Sequence, residues 1–356
     1  MTGPVLHAIA WPGGLGGAPR SVEETCAALL RDGVDAHVWL CTAARIQESP
    51  VPDRFRARGV PVEHAIANTV AAPRAIASLT GRLRHLGPTA VLHTHGERAL
   101  VWGLAAARIA GVRHVHTLHG WIRNTNRDRQ REQVARRLLG QVDAVIAVHE
   151  VVAKGIADCH VVPNTIDARR FARGAGDREQ IRRHWGLTPG ERVYLFLGRL
   201  SAEKGADRLA VIQARLQTVS AAARLFVAGN GPLAAGVEAM TDVRLLGERD
   251  DPAAILAAAD VVLMPSRSEG LPMTALEAAA VGVPLVGFPV GGLKDSGLAF
   301  TVRDGDVDAL VDAAAALVRD PEGRARTLDR AAAALRDRFS PAAHVAALVP
   351  IYGGPA

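Results

Sequence analysis

Short apolar runs alternate with longer helix-patterned stretches and Gly/Pro-rich turns along nearly the whole chain. This rhythm constrains the fold more than any other feature, because buried strands alternating with helices build βαβ units around parallel sheets. In the first half the pattern predicts strands over residues 5–10, 37–41, 90–93, 114–118, 144–148 and 160–163. It predicts helices over 21–31, where Val22, Cys26, Leu29 and Leu30 share one face, and over 100–110.

The rhythm breaks at residues 167–187, which are rich in Arg and Gly and weakly apolar, and a turn signal at 188–191 ends the break. A second series follows, with strands predicted over 193–197, 224–228, 243–246, 261–264 and 284–288 and a helix over 206–218. The expected organisation is an N-terminal Rossmann-like domain (1–166), an interdomain linker (167–190) and a C-terminal Rossmann-like domain (191–340). A closing helix is expected within 341–356, and its host domain is not evident from sequence. A length of 356 residues suits two cores better than one. The expected class is thus α/β, with two doubly wound parallel-sheet domains facing a central cleft. Such folds bind ligands beyond the carboxyl ends of their strands, so candidate motifs should fall just after strands.

Hydrophobic residues make up 49% and charged residues 22%, a balance that argues against disorder, collagen and coiled coil. No apolar run approaches the roughly 20 residues that span a bilayer, and the N-terminus lacks the pattern of a secretory signal. Three cysteines without metal-ligand spacing, Cys26, Cys41 and Cys159, read as buried thiols in a reducing compartment, so a cytoplasmic location is expected. The net charge of +6 suits anionic partners such as phosphorylated metabolites. Aromatic residues are only 4%, too few for a base-stacking platform, so nucleic acid is not an expected partner. Only three basic residues are lysines (Lys154, Lys204 and Lys294), and Lys204 sits in a motif-like loop.

Four stretches after predicted strands can carry chemistry. The loop 11–20 contains Gly13, Gly14, Gly16 and Gly17; its glycines allow an anion to approach a helix start, and they equally suit a tight turn. Its spacing does not match the G-x-G-x-x-G dinucleotide fingerprint. The loop 198–205 carries Arg199 and Lys204 between Gly198 and Gly205, able to converge on a diphosphate as a planar fork and a point charge. A solvated charged turn is the alternative. In the stretch 265–278, Glu269 is placed in a loop and Glu277 two turns inside the following helix, among alanines, where a buried carboxylate needs a partner. Ribose and sugar hydroxyls fit that need.

The fourth stretch is histidine-rich. His93 and His95 end one strand; His114 and His116 share a face of the next, and His119 falls past its end, best placed for a cleft. No H-E-x-x-H or Cys/His pairing supports zinc. The Asp-x-Asp letters at 304–308 lead into a helix and read as a cap, so no metal and no cofactor are expected.

Together these residues resemble the retaining glycosyltransferases of family 4, which have the GT-B architecture. The resemblance runs in the family's order through the glycine loop, His119-Gly120, residues 162–167, Gly198-Arg199-Leu200 with Lys204-Gly205, residues 227–232 with Gly229 and Gly231, Ala259-Asp260, Pro265-Ser266, Glu269 to Glu277 and Gly291-Gly292. It implies transfer of a sugar from a nucleotide-diphosphate donor with retention, the donor being UDP-linked in the commoner relatives. It further implies that residues at Arg199 and Lys204 hold the diphosphate and offset leaving-group charge. By the same resemblance Glu277 binds the ribose, and Glu269 contacts the donor sugar with the N–H groups of Gly270 and Leu271. Gly14, Gly16, Gly17, Gly229 and Gly231 are expected to line the donor and His119 to lie near the transferred sugar, with His95, Trp121 and Arg123 expected on the acceptor side. Departures from the family pattern are Ala18-Pro19 after the glycine loop, Thr165 after Asn164, and Leu293-Lys294-Asp295 after Gly292.

The expected partners are therefore a nucleotide-sugar donor and a small hydroxyl acceptor, such as a natural-product, aminocyclitol or inositol intermediate. A sugar-nucleotide epimerase or hydrolase of the same architecture is the main rival reading. The Arg-rich run 123–137 suits either a solvated helix face or contact with anionic lipid by an enzyme with a lipid acceptor.

Overall fold

The computed structural model describes residues 2–11, 16–42, 50–66, 72–121, 126–174 and 176–353. The chain divides into two compact units, Met1–Thr165 with Pro341–Ala356, and Ile166–Ser340.

Among the described residues the first unit is built on seven strands: β1 (Val5–Trp11), β2 (Ala36–Thr42), β3 (Val62–Ile66), β4 (Val91–His95), β5 (Arg113–Leu118), β6 (Ala144–Ala147) and β7 (Cys159–Val161). They pair in parallel in the order β3-β2-β1-β4-β5-β6-β7. The second unit has β8 (Arg192–Leu197), β9 (Ala223–Ala228), β10 (Val243–Gly247), β11 (Val261–Met264), β12 (Leu285–Gly287) and β13 (Phe300–Thr301), in the order β10-β9-β8-β11-β12-β13. Strand order reverses between β1 and β4 in one sheet and between β8 and β11 in the other. These are the points where connections leave in opposite directions and open a crevice beyond the strand ends.

Alternation along β1 and β4 sorts residues onto two faces. Val5, Ile9 and Val91 join a core with Val22, Cys26 and Leu29 of the helix Gly17–Arg31 and with Val345, Leu348 and Tyr352. Leu6, Ala8 and Leu92 face the other way, onto Leu79, Leu83 and Trp102. The second unit has its own core, in which Tyr194, Leu225, Val261 and Leu263 of the sheet meet Leu209, Ile212 and Leu310 of flanking helices.

Two sequence readings need revision, and one point that the sequence left open is answered. The segment 167–190, expected as a linker, holds the helices Ala168–Arg173 and Arg178–His184 and belongs to the second unit. It is anchored by charge as well as by apolar burial, since Trp185 is buried and stacks on Phe226 with ring centroids 4.7 Å apart. Arg178 and Arg182 reach the two carboxylate oxygens of Asp260 at 2.8 and 3.1 Å, and Asp260 also accepts the backbone N–H of Val193 at 2.7 Å. Hydrophobic periodicity has no access to such an anchor. The closing helix, Pro341–Ile351, packs in the first unit: His344 Nδ1 donates to the Pro163 carbonyl (2.8 Å), so its Nε2 accepts from the Thr25 hydroxyl (3.0 Å). Finally, β3 and β13 add edge strands that the pattern did not reveal. An edge strand pairs on one side only, and β3 carries the polar Glu63 and His64 while β13 has only two residues.

Candidate active site

Both switch points carry the residues singled out from sequence, and their chemistry differs. In the second unit, β8 runs into the loop 198–205 and β11 into the loop 265–272, so the two loops leave adjacent strands. Gly205 is left-handed at φ 75°, and a side chain there would collide with the Pro265 carbonyl; glycine is what lets the loops touch. Arg208 donates to that same carbonyl at 2.8 Å, and Arg267 forms a two-pronged pair with Asp207 at 2.7 Å for each prong. The Arg267 hydrogen bond holds the Asp207 carboxyl below the usual carboxylate range.

Across this junction Lys204 Nζ meets Glu269 Oε2 at 2.7 Å, while the Ser266 hydroxyl donates to Glu269 Oε1 at 2.8 Å. Both oxygens of Glu269 are thus held, and its side chain is only 6% exposed. Arg199 is exposed, with no ion pair among the described residues, so the expected basic pair is split into one engaged and one open member. Glu269 lies in the loop and Glu277 inside the helix Met273–Val281, as the spacing predicts, and Glu277 is 2% exposed. The start of this helix is tied to the end of β8 by the Thr274 hydroxyl on the Leu197 carbonyl (3.3 Å). Gly270 and Leu271 are buried just before that start, where helix N–H groups favour negative charge.

Gly229 and Gly231 have a structural reason to be glycine. The turn 228–233 lies flush on the loop 198–200, with Gly198 N–H on the Ala228 carbonyl (3.0 Å), Leu200 N–H on Asn230 (2.9 Å) and Leu233 N–H on Leu200 (2.9 Å). A Cβ on Gly229 or Gly231 would enter the backbone of Gly198 or Leu200. Gly291 meets the Glu269 carbonyl in the same way, and Gly292 N–H donates to Gly270 (2.6 Å).

The switch point of the first unit is lined with imidazoles. His7 of β1 stands in register with His93 of β4, and His95 follows on the same face. His7 Nδ1 lies 3.0 Å from His95 Nε2, and His95 Nδ1 lies 3.0 Å from His119 Nε2. His93 bonds Tyr352 Oη (2.7 Å) and Thr117 Oγ1 (2.6 Å). On the opposite face His114 and His116 both meet Thr94 Oγ1 at 2.8 Å, in agreement with their predicted shared face. Burial lowers the His119 and His114 pKa values to about 4 and those of His7 and His116 to about 3. His93 and His95 are pushed well below the usual histidine range by burial and then by their neighbours. The network is neutral at pH 7.

The remaining sites divide. Gly16 is the residue before the helix Gly17–Arg31, and the Trp11 ring fills the space its Cβ would take. Trp121 uses its indole N–H on the Val152 carbonyl (3.2 Å) and carries the Arg136 guanidinium 4.7 Å above its ring. Gly14 and Arg123 lie outside the described residues. Asp306 accepts from Ala309 N–H (2.9 Å), the cap expected of the Asp-x-Asp letters. Sequence reading missed His7, Tyr352 and the clamp by Ser266. The signal for His7 was available in principle, since any alignment of β1 beside β4 brings it next to His93.

Comparison with known proteins fits this geometry. A model described as "Glycosyltransferase Family 4" matches residues 15–170, and one described as "Glycosyl transferases group 1" matches residues 191–320. The chain is 30% identical over 347 residues to a D-inositol 3-phosphate glycosyltransferase of Actinosynnema mirum, covering 84% of this chain and 81% of the relative. It is 28% identical over 273 residues to an N-acetyl-alpha-D-glucosaminyl L-malate synthase of Bacillus anthracis, covering 70% of each. Among solved structures it is similar to Anabaena HepE in complex with UDP-glucose, with a TM-score of 0.80 at 20% identity, covering 98% of this chain and 99% of that one. Fold, loop chemistry and relatives define a glycosyltransferase. The chain belongs to glycosyltransferase family 4, the retaining enzymes of GT-B architecture. Among the described residues no helix is long and apolar enough to cross a membrane.

Proposed function

We propose that this enzyme moves a sugar from a UDP-linked donor to a small hydroxyl acceptor, a natural-product, aminocyclitol or inositol intermediate, without a metal ion. The observation that carries the reading is the Lys204–Glu269–Ser266 clamp beside the exposed Arg199 at the switch point of the second sheet. Arg199 gives a diphosphate a planar fork, and Lys204 gives it a point charge. Both are strongest where charge grows on the departing diphosphate, the role a metal plays in other transferases. Before the donor arrives, Glu269 neutralises Lys204. As phosphate oxygens take over Lys204, Glu269 is freed to accept hydroxyls of the sugar, together with the N–H groups of Gly270 and Leu271. Glu277 takes the ribose hydroxyls, and His119 takes part as a neutral group.

UDP is favoured by likeness: HepE is solved with UDP and UDP-glucose. A small acceptor is favoured because several relatives act on inositol phosphate or malate by name. A panel of nucleotide sugars scored by protection against thermal unfolding tests the donor, since a bound ligand raises apparent stability by mass action. UDP-sugars are expected to protect. Acceptor-dependent formation of a glycoside separates transfer from hydrolysis or epimerisation; nucleotide release without acceptor would overturn the transfer reading.

A further inference from the structure

His7, His93 and His95 bring ring nitrogens within 4.8 Å of one another, a spacing that invites a metal. Yet five of these six nitrogens already have hydrogen-bond partners; only His7 Nε2, fully buried, has none among the described residues. Hydrogen bonding, not coordination, accounts for the cluster. A neutral imidazole has one donor and one acceptor, so the chain His7–His95–His119 admits only two proton arrangements. In one, every proton sits on Nδ1: His7 donates to His95, His95 donates to His119 Nε2, and His7 Nε2 is left as a bare nitrogen. In the other, every proton sits on Nε2, and His7 buries an N–H with no acceptor among the described residues. Orphaned buried donors are rarer than orphaned acceptors, which selects the first arrangement. His119, half-buried at the open end of the chain, then carries its proton on Nδ1 while its Nε2 lone pair is occupied by His95.

We infer that His7 and His95 are positioning residues that lock the tautomer of His119, so that it serves the reaction as a neutral hydrogen-bond donor through Nδ1 and not as a base. The step moves no net charge and breaks no covalent bond. The functional half rests on the proposed transfer reaction, whereas the tautomer does not.

The test is ring-nitrogen NMR of the full chain labelled with 15N-histidine, with the His119 signals assigned through His119→Gln. The Nδ1–H form is expected for His7, His95 and His119 together. An Nε2–H form at His119, or stoichiometric uptake of added Zn²⁺ that perturbs His7, His93 and His95, would overturn the proposal. In His95→Phe the fixed tautomer of His119 should be lost and kcat should fall about tenfold, the value of one hydrogen bond, with donor KM nearly unchanged. His95→Gln, whose amide can accept and donate, should restore part of kcat; a purely structural role would instead track thermal stability across both variants. Should the wild type show the Nδ1–H signals but no acceptor-dependent turnover, the transfer reading falls and the tautomer stands.

Discussion

The two sheets reverse strand order in the same way, yet one switch point is neutral and the other charged. Twelve of the thirteen histidines belong to the first unit and only His184 to the second. The clamped Lys204 and the carboxylates Glu269 and Glu277 stand in the second. Topology therefore decides where a crevice opens, and the side chains at the strand ends decide what it holds. Buried imidazoles hydrogen-bond hydroxyls without bringing charge, whereas on the proposed reading a lysine and an arginine at loop height attract a diphosphate.

The largest expected effect breaks the comparison with acid. The buried histidines of the first unit titrate near 3 to 4 when folded and near 6.5 when unfolded. As pH falls through that window the unfolded chain binds protons that the folded unit refuses, so stability drops by about 1.4 kcal/mol per pH unit for each such group. Several together exceed the ~5–15 kcal/mol that holds a domain. The first unit should lose hydrogen-exchange protection by about pH 4.5 while the second retains it; simultaneous loss would refute the assignment. Next come Lys204→Ala and Glu277→Ala, each expected to cut acceptor-dependent turnover on the order of 10³-fold, as for removal of other preorganised charge partners. Wild-type rates in either would place the donor elsewhere.

Smaller effects sharpen the second unit. Gly229→Ala forces a Cβ into the Gly198 backbone and should destabilise that unit by about 2 kcal/mol, read as a lower thermal midpoint. Ser266→Ala leaves the buried Glu269 Oε1 without its hydroxyl donor and should slow turnover about tenfold, with a modestly lowered melting temperature. A chelator should leave the rate as it is, and a dependence on added metal would contradict metal-free transfer.

The alternation of apolar runs made both sheets legible, together with the helix face of Val22, Cys26 and Leu29. Motif spacing likewise placed Glu269 in a loop and Glu277 in a helix. The Arg-rich stretch after Asp167 looks like a linker in sequence because Arg178 and Arg182 fold onto Asp260, 82 and 78 residues away, and no local period encodes that pairing. His7 went unread for the same reason: a histidine in an apolar strand has no distinguishing neighbour until β4 lies beside it.

The sequence by itself determined the elements, their division into two series, and the loops where charge and glycine gather, because these depend on local periodicity and turn chemistry. Only the tertiary structure decided that Lys204 is neutralised by Glu269, that Gly229 must yield to a carbonyl, and that three imidazoles join into one chain. Each of those contacts joins residues far apart along the chain. Their distances are set by strand pairing and burial, which no single segment contains.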